Sequence, residues 1–102
     1  MVSPPASDLL TARVRMPQHV VHRSFVAETV VLNLQTGQYH GLNPTAGAML
    51  EALQSAPTVA DAVAPIGERY GVEREQVERD LLALTRGLLE RGLIETVDDA
   101  GA

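Results

Sequence analysis

Two rhythms divide the chain. Between Val20 and Leu42 β-branched residues cluster and no helical period is present, whereas from Pro44 to Leu89 the apolar positions return every three or four residues. VVHRSF (20–25) and TVVLNL (29–34) predict two strands. In the second, Val30, Leu32 and Leu34 fall on one face and Val31 and Asn33 on the other, the two-residue alternation of a half-buried strand. Thr36 and Gly37 supply turn chemistry, since glycine accepts a positive φ at no steric cost, and QYHGL (38–42) predicts a third, short strand.

Helix signals begin at once. Asn43 caps with its side-chain oxygen and Pro44 suits the first helical position, where an N–H would have no partner. The first of these helices is predicted over 44–54, burying Ala46, Met49, Leu50 and Leu53. Thr58, with Asp61 three residues on, starts the next; Val59, Val63, Ile66 and Tyr70 form its apolar face and Gly71 its stop. Pro65 interrupts that pattern, because a proline in mid-helix removes a hydrogen bond at a cost of about 3 kcal/mol, so a break is expected near 63–65. In the last helix Val77, Leu81, Leu84 and Leu88 form a stripe widened by Leu82 and Leu89. Glu73, Glu75 and Glu78 sit at its positive end, and Gly92 closes it before Leu93 and Ile94. The expected fold is α+β and winged-helix-like, a three-stranded antiparallel sheet followed by three helices.

Composition narrows the function. The 102 residues make one domain with one modest core, and with three aromatic residues and no Trp that core is aliphatic. Two prolines and small polar residues near the start read as a flexible arm over 1–17. The domain proper is expected over 18–95, with a flexible tail over 96–102. Eight bases, all Arg, against thirteen acids give a charge of −5. Glu68 to Glu95, the part that could pass for a helix-turn-helix, holds seven acids and five arginines, the wrong sign for a phosphate-facing helix. With no Cys, disulfides, thiolate metal sites and a thiol nucleophile are excluded. His19, His22 and His40 lack metal-ligand spacing, and the chain has no P-loop, dinucleotide fingerprint or Ser elbow. The reading is of a non-catalytic protein without metal or cofactor, cytoplasmic for want of a signal segment or an apolar run of about 18 residues.

A resemblance sharpens this. VVLNLQTGQYHGLNPTAGAMLEAL, TVADAV and ERYGVEREQVERDLLALTRGLLERGLIE, in that order and spacing, are similar to the PqqD-like family of RiPP recognition elements, domains that bind the leader segment of a ribosomally made precursor peptide. The likeness spans about Val20 to Glu95, and the TGQYHGLNPTAG block is most similar to the stand-alone recognition proteins of lasso-peptide biosynthesis. Pro65 departs from the family pattern. The resemblance implies a precursor leader as ligand and a leader peptidase and a macrolactam synthetase as partners. The alternative within the family is a peptide chaperone of pyrroloquinoline quinone synthesis, whose partner is a radical SAM enzyme. Neither implies nucleic acid or membrane.

The residues themselves offer a matching chemistry. A strand that closes a small sheet leaves a row of backbone groups without partners, and an extended peptide can join it as one more strand. Gln38, Tyr39, His40, Gly41 and Leu42 form that candidate edge, and the family supplies the last helix as the second wall, here Val77, Asp80, Leu81 and Leu84. Beside that stripe Gln76, Asp80, Ala83 and Gly87 make a polar strip of small residues. Each residue also has an ordinary reading: Tyr39 as a core aromatic, His40 as a surface histidine, Gly41 as a bulge, Asp80 as a solvated acid, the leucines as core.

Overall fold

The computed structural model describes residues 6–97. Helix α1 (Ala6–Thr11) and strand β1 (Arg13–Arg15) lead into a three-stranded sheet of β2 (Val20–Ser24), β3 (Thr29–Asn33) and β4 (Tyr39–Leu42). Helices α2 (Pro44–Ser55), α3 (Val63–Tyr70) and α4 (Arg74–Glu90) follow, then β5 (Glu95–Val97). The sheet is antiparallel in the order β2-β3-β4. The α+β, winged-helix-like expectation holds, with one helix and a second, two-stranded sheet in addition.

Those additions correct the reading of residues 6–17 as an arm. Leu9 on α1 has no exposed surface and belongs to the main core, and Val14 of β1 is buried with it. β1 pairs with β5, so residues 96 and 97, read as tail, are strand instead. Arg15 faces Glu95 across that pair, with Nε and Nη2 each 2.9 Å from Oε2. The sequence pattern hid these elements because three-residue strands and a six-residue helix carry too little periodicity to register. The rest of the expected arm and tail, 1–5 and 98–102, lies outside the described residues.

Local chemistry sets the helix ends. Asn43 Oδ1 accepts from the Ala46 N–H at 2.8 Å, with Pro44 at the first helical position. Within α2 the buried residues are Gly47, Ala48, Met49, Leu50 and Leu53; Ala46, expected among them, is half-buried. Thr58 and Asp61 exchange hydrogen bonds, Thr58 Oγ1 to Asp61 Oδ2 at 2.8 Å and the Asp61 N–H to Thr58 Oγ1 at 3.3 Å. A 3-10 turn at Ala60–Ala62 then passes into α3, which places Pro65 in the first turn of a new helix, where its missing N–H costs no intrahelical bond. Gly92, at φ 71°, ends α4: its N–H reaches the Leu89 carbonyl and the Leu93 N–H reaches that of Leu88, a Schellman cap that folds Leu93 onto the core.

One core joins the layers. Val31 from the sheet, Leu50 and Leu53 from α2, Val63 and Ile66 from α3, and Val77, Leu81 and Leu88 from α4 are all buried in it. Thr85 is buried there too, its hydroxyl donating to the Leu81 carbonyl at 2.7 Å. Gly47 lets α2 lie directly on Thr29, whose Cβ is 3.0 Å from where a Gly47 side chain would start.

Candidate functional site: the open edge of β4

The hairpin between β3 and β4 orients the edge. Asn33 closes it three ways: its Oδ1 accepts from the Gln35 and Thr36 N–H groups, its carbonyl from Gly37, and its N–H donates to the Gln38 carbonyl at 2.9 Å. Gly37 takes φ 76°, as its place in the turn required. Asn33 was legible only as a strand position, though an asparagine before a turn is a known local cap.

That Asn33–Gln38 bond fixes which backbone groups face outward. Along an antiparallel ladder, bonded and non-bonded pairs alternate. Val31–His40 and Thr29–Leu42 are therefore the bonded pairs, while Leu32–Tyr39 and Val30–Gly41 are not. On the other side of β3, Leu34 N–H to His19 O and Phe25 N–H to Glu28 O, both 2.7 Å, set the complementary alternation. The N–H and C=O groups of Tyr39 and Gly41 thus point away from β3, to the side where, among the described residues, β4 has no neighbouring strand. An extended chain laid there meets two donors and two acceptors in register.

The register also sorts side chains by face, because residues directly opposite one another share one. His22, Val31 and His40 form a row on the face that the helices cover, as do Ser24, Thr29 and Leu42. Val21, Leu32 and Tyr39 form a row on the opposite face, as do Arg23, Val30 and Gly41. Tyr39 is 71% exposed and Phe25 58%. The outer face is consequently apolar where a solvated sheet face is normally polar. Tyr39 is no core aromatic, and it lies across the sheet from the helices. A strand added to β4 would send alternate side chains to the two faces, half towards Tyr39 and Gly41 and half towards the helical layer.

On α4 the predicted residues separate. Val77 and Leu81 are wholly within the core, while Leu84 is half-buried at its margin. Asp80 is exposed and accepts from Gln76 Nε2 at 3.0 and 3.1 Å, and Arg79 holds Gln76 Oε1 at 2.8 Å, so the polar strip is already hydrogen-bonded to itself. The chief neighbours of β4 are β3 and α2, and those of α4 are α3 and α1. The edge residues Gln38 to Leu42 are brought together on one strand; they and the α4 residues remain two separate groups.

Two concavities, of about 420 and 380 Å³, lie beside the β1–β5 pair and touch neither β4 nor α4. Among the described residues no three His, Cys, Asp or Glu side chains are grouped to hold a metal, and no helix is long and apolar enough to cross a membrane. One residue of the edge escaped the sequence reading: Glu28, whose carboxylate lies over Gly41. Its signal was the hairpin register, which sequence alone leaves open.

Comparison with known proteins accords with this geometry. The solved structure of TbiB1 in complex with the TbiA(beta) leader peptide is 33% identical, superposes with a TM-score of 0.74, and matches 83% of this chain and 99% of its own. A lasso peptide synthetase B1 complexed with the leader peptide is 30% identical with the same TM-score, over 82% of this chain and 99% of its own. No curated protein matches the chain at a significant level. The model of the family described as coenzyme PQQ synthesis protein D (PqqD) matches residues 28–94, about two thirds of the chain, from the tip of the β2–β3 hairpin to the end of the core, and the chain therefore belongs to the PqqD family.

Proposed function

We propose that the chain is a non-catalytic RiPP recognition element, which holds the leader of a precursor peptide as a fourth strand on β4 and delivers it to processing enzymes in lasso-peptide biosynthesis. The observation that carries this is the open edge of β4, whose Tyr39 and Gly41 backbone groups face outward in a chain similar to two leader-bound B1 proteins. Backbone bonds supply affinity without regard to sequence, and alternate side chains supply selectivity. Four strand hydrogen bonds contribute on the order of 1 kcal/mol each. Two or three buried leader anchors add roughly 1.5 to 3 kcal/mol each. Ordering the leader costs about 2 to 5 kcal/mol and association itself adds a further penalty, so only the surplus of these contacts is left as affinity.

On this reading His40, Leu42 and the half-buried Leu84 meet the leader side chains directed to the helices, and Tyr39 meets those on the outer face. The partners are a leader peptidase and an ATP-using macrolactam synthetase that recognise the loaded adaptor, which raises the local concentration of substrate. The family description favours a second reading, a peptide chaperone of pyrroloquinoline quinone synthesis with a radical SAM enzyme as partner. One titration tests the reading: fluorescence polarisation of the labelled leader encoded beside this gene, with a scrambled leader as control. Saturable binding of the true leader alone, weakened about fivefold or more by Tyr39→Ala, is the expected result. No binding by about 100 μM would overturn it.

A further inference from the structure

The outer face of the edge carries one charged group placed to read a bound peptide. A side chain begun at Gly41 would stand 2.7 Å from Glu28 Oε2 and 3.8 Å from its carboxyl carbon, so the carboxylate occupies the space that a residue at 41 would fill. It makes no hydrogen bond or ion pair with any described residue, although Arg23 shares its face. Arg23 is the diagonal cross-strand neighbour of Glu28, close enough for their side chains to meet, but the two make no ion pair here, which leaves the carboxylate leaning over Gly41. The tight turn that joins Phe25 N–H to the Glu28 carbonyl at 2.7 Å fixes the root of the side chain, and Gly41 gives it room to lean outward.

We infer that Glu28 sets the leader's specificity at one position, selecting a cationic side chain on the residue that pairs with Gly41. This rests on the peptide-binding reading above. A residue paired with Gly41 across the edge has its Cα about 5.5 Å away and its side chain on the outer face, since Gly41 would be in a hydrogen-bonded pair with it. There the Glu28 carboxylate is the charged group that lies over Gly41. A Lys or Arg completes its missing ion pair. An acid at that position meets a like charge that nothing on the edge neutralises. The flanking outward position, opposite Tyr39, meets an aromatic ring instead, so the two outward leader positions are read by different chemistries.

The test is a fluorescence-polarisation scan of the labelled leader encoded beside this gene, with Lys, Gln and Glu placed at each position in turn. One position should bind with Lys about five- to tenfold more tightly than with Glu, attraction and repulsion each contributing, and the preference should fade in about 0.5 M salt. Glu28→Gln should bring the three peptides at that position within about twofold of one another, and Glu28→Lys should reverse their order. Gly41→Ala, whose methyl group displaces the flexible carboxylate, should reduce the preference as well. Saturable binding with no charge-sensitive position, or a preference that survives Glu28→Gln, overturns the assignment to Glu28 alone. If no peptide in the scan saturates, the peptide-binding reading falls and this inference with it.

Discussion

Gly47 controls how closely α2 approaches the sheet. A methyl group there would press on Thr29 Oγ1 and stand 3.0 Å from Thr29 Cβ, on a strand held between two others. Alanine ordinarily favours a helix over glycine by about 1 kcal/mol, but overpacking a rigid neighbour costs about 1–3 kcal/mol. Gly47→Ala should therefore lower stability by about 1 kcal/mol or more in urea unfolding, and adding Thr29→Ala should restore part of the loss. A variant as stable as the parent would show that α2 can slide away from the sheet. The neighbouring hydroxyls bind the same layers: Ser24 donates to Glu51 on α2 and lies 3.1 Å from Thr29 Oγ1. At this scale the caps and turns, Asn43, Gly37 and Gly92, were legible in the sequence, because each acts within four residues of itself. Gly47 was legible only as a helix position, since its reason is a side chain eighteen residues away in sequence.

β4 does its work as an element, through the alternation of its backbone. Gly41 points its N–H to the open edge, whereas His40 points its own at β3. Proline substitution separates the two, since it removes a donor and is tolerated on an edge strand only where that donor faces outward. Gly41→Pro should leave the free energy of unfolding in urea within about 1 kcal/mol of the parent and weaken leader binding about fivefold or more. His40→Pro should instead disrupt the β3–β4 ladder and cost about 3 kcal/mol of stability. The opposite pattern would place the wrong residues on the free edge. The sequence predicted the strand and its exposed edge, while the register that divides Tyr39 from the helices came only with the fold. The alternation read in TVVLNL is real, but its more apolar face, Val30, Leu32 and Leu34, is the outer one, while Thr29, Val31 and Asn33 are buried towards the helices.

At the scale of the whole molecule the two ends of the described chain are one structure. α1 docks Leu9 into the core, the Val59 N–H reaches the Ala12 carbonyl at 2.9 Å, and β1 pairs with β5. Leu9→Ala should cost about 2–5 kcal/mol in chemical denaturation, the range for removing a fully buried leucine. Arg15→Ala should cost under about 1 kcal/mol, because its ion pair with Glu95 is 66% and 41% exposed and screened by water. Equal effects of the two would mean that the end pairing, and not Leu9, anchors this part of the fold.

The sequence by itself determined the order of strands and helices over 20–94, the caps and turns between them, the aliphatic character of the core and the family resemblance. Each of these is written in neighbouring residues or in a repeating period, and so survives without coordinates. Only the tertiary structure decided that residues 6–15 are part of the fold, that the break expected near Pro65 takes the form of a 3-10 turn passing into a new helix at Val63, and that Tyr39 and α4 lie on opposite sides of the sheet. It alone brought Glu28 over Gly41. These depend on pairing between distant segments, and in a sheet a shift of one residue exchanges every inward side chain for an outward one. Register, and hence the chemistry an added strand would meet on each face, is a property of the folded chain.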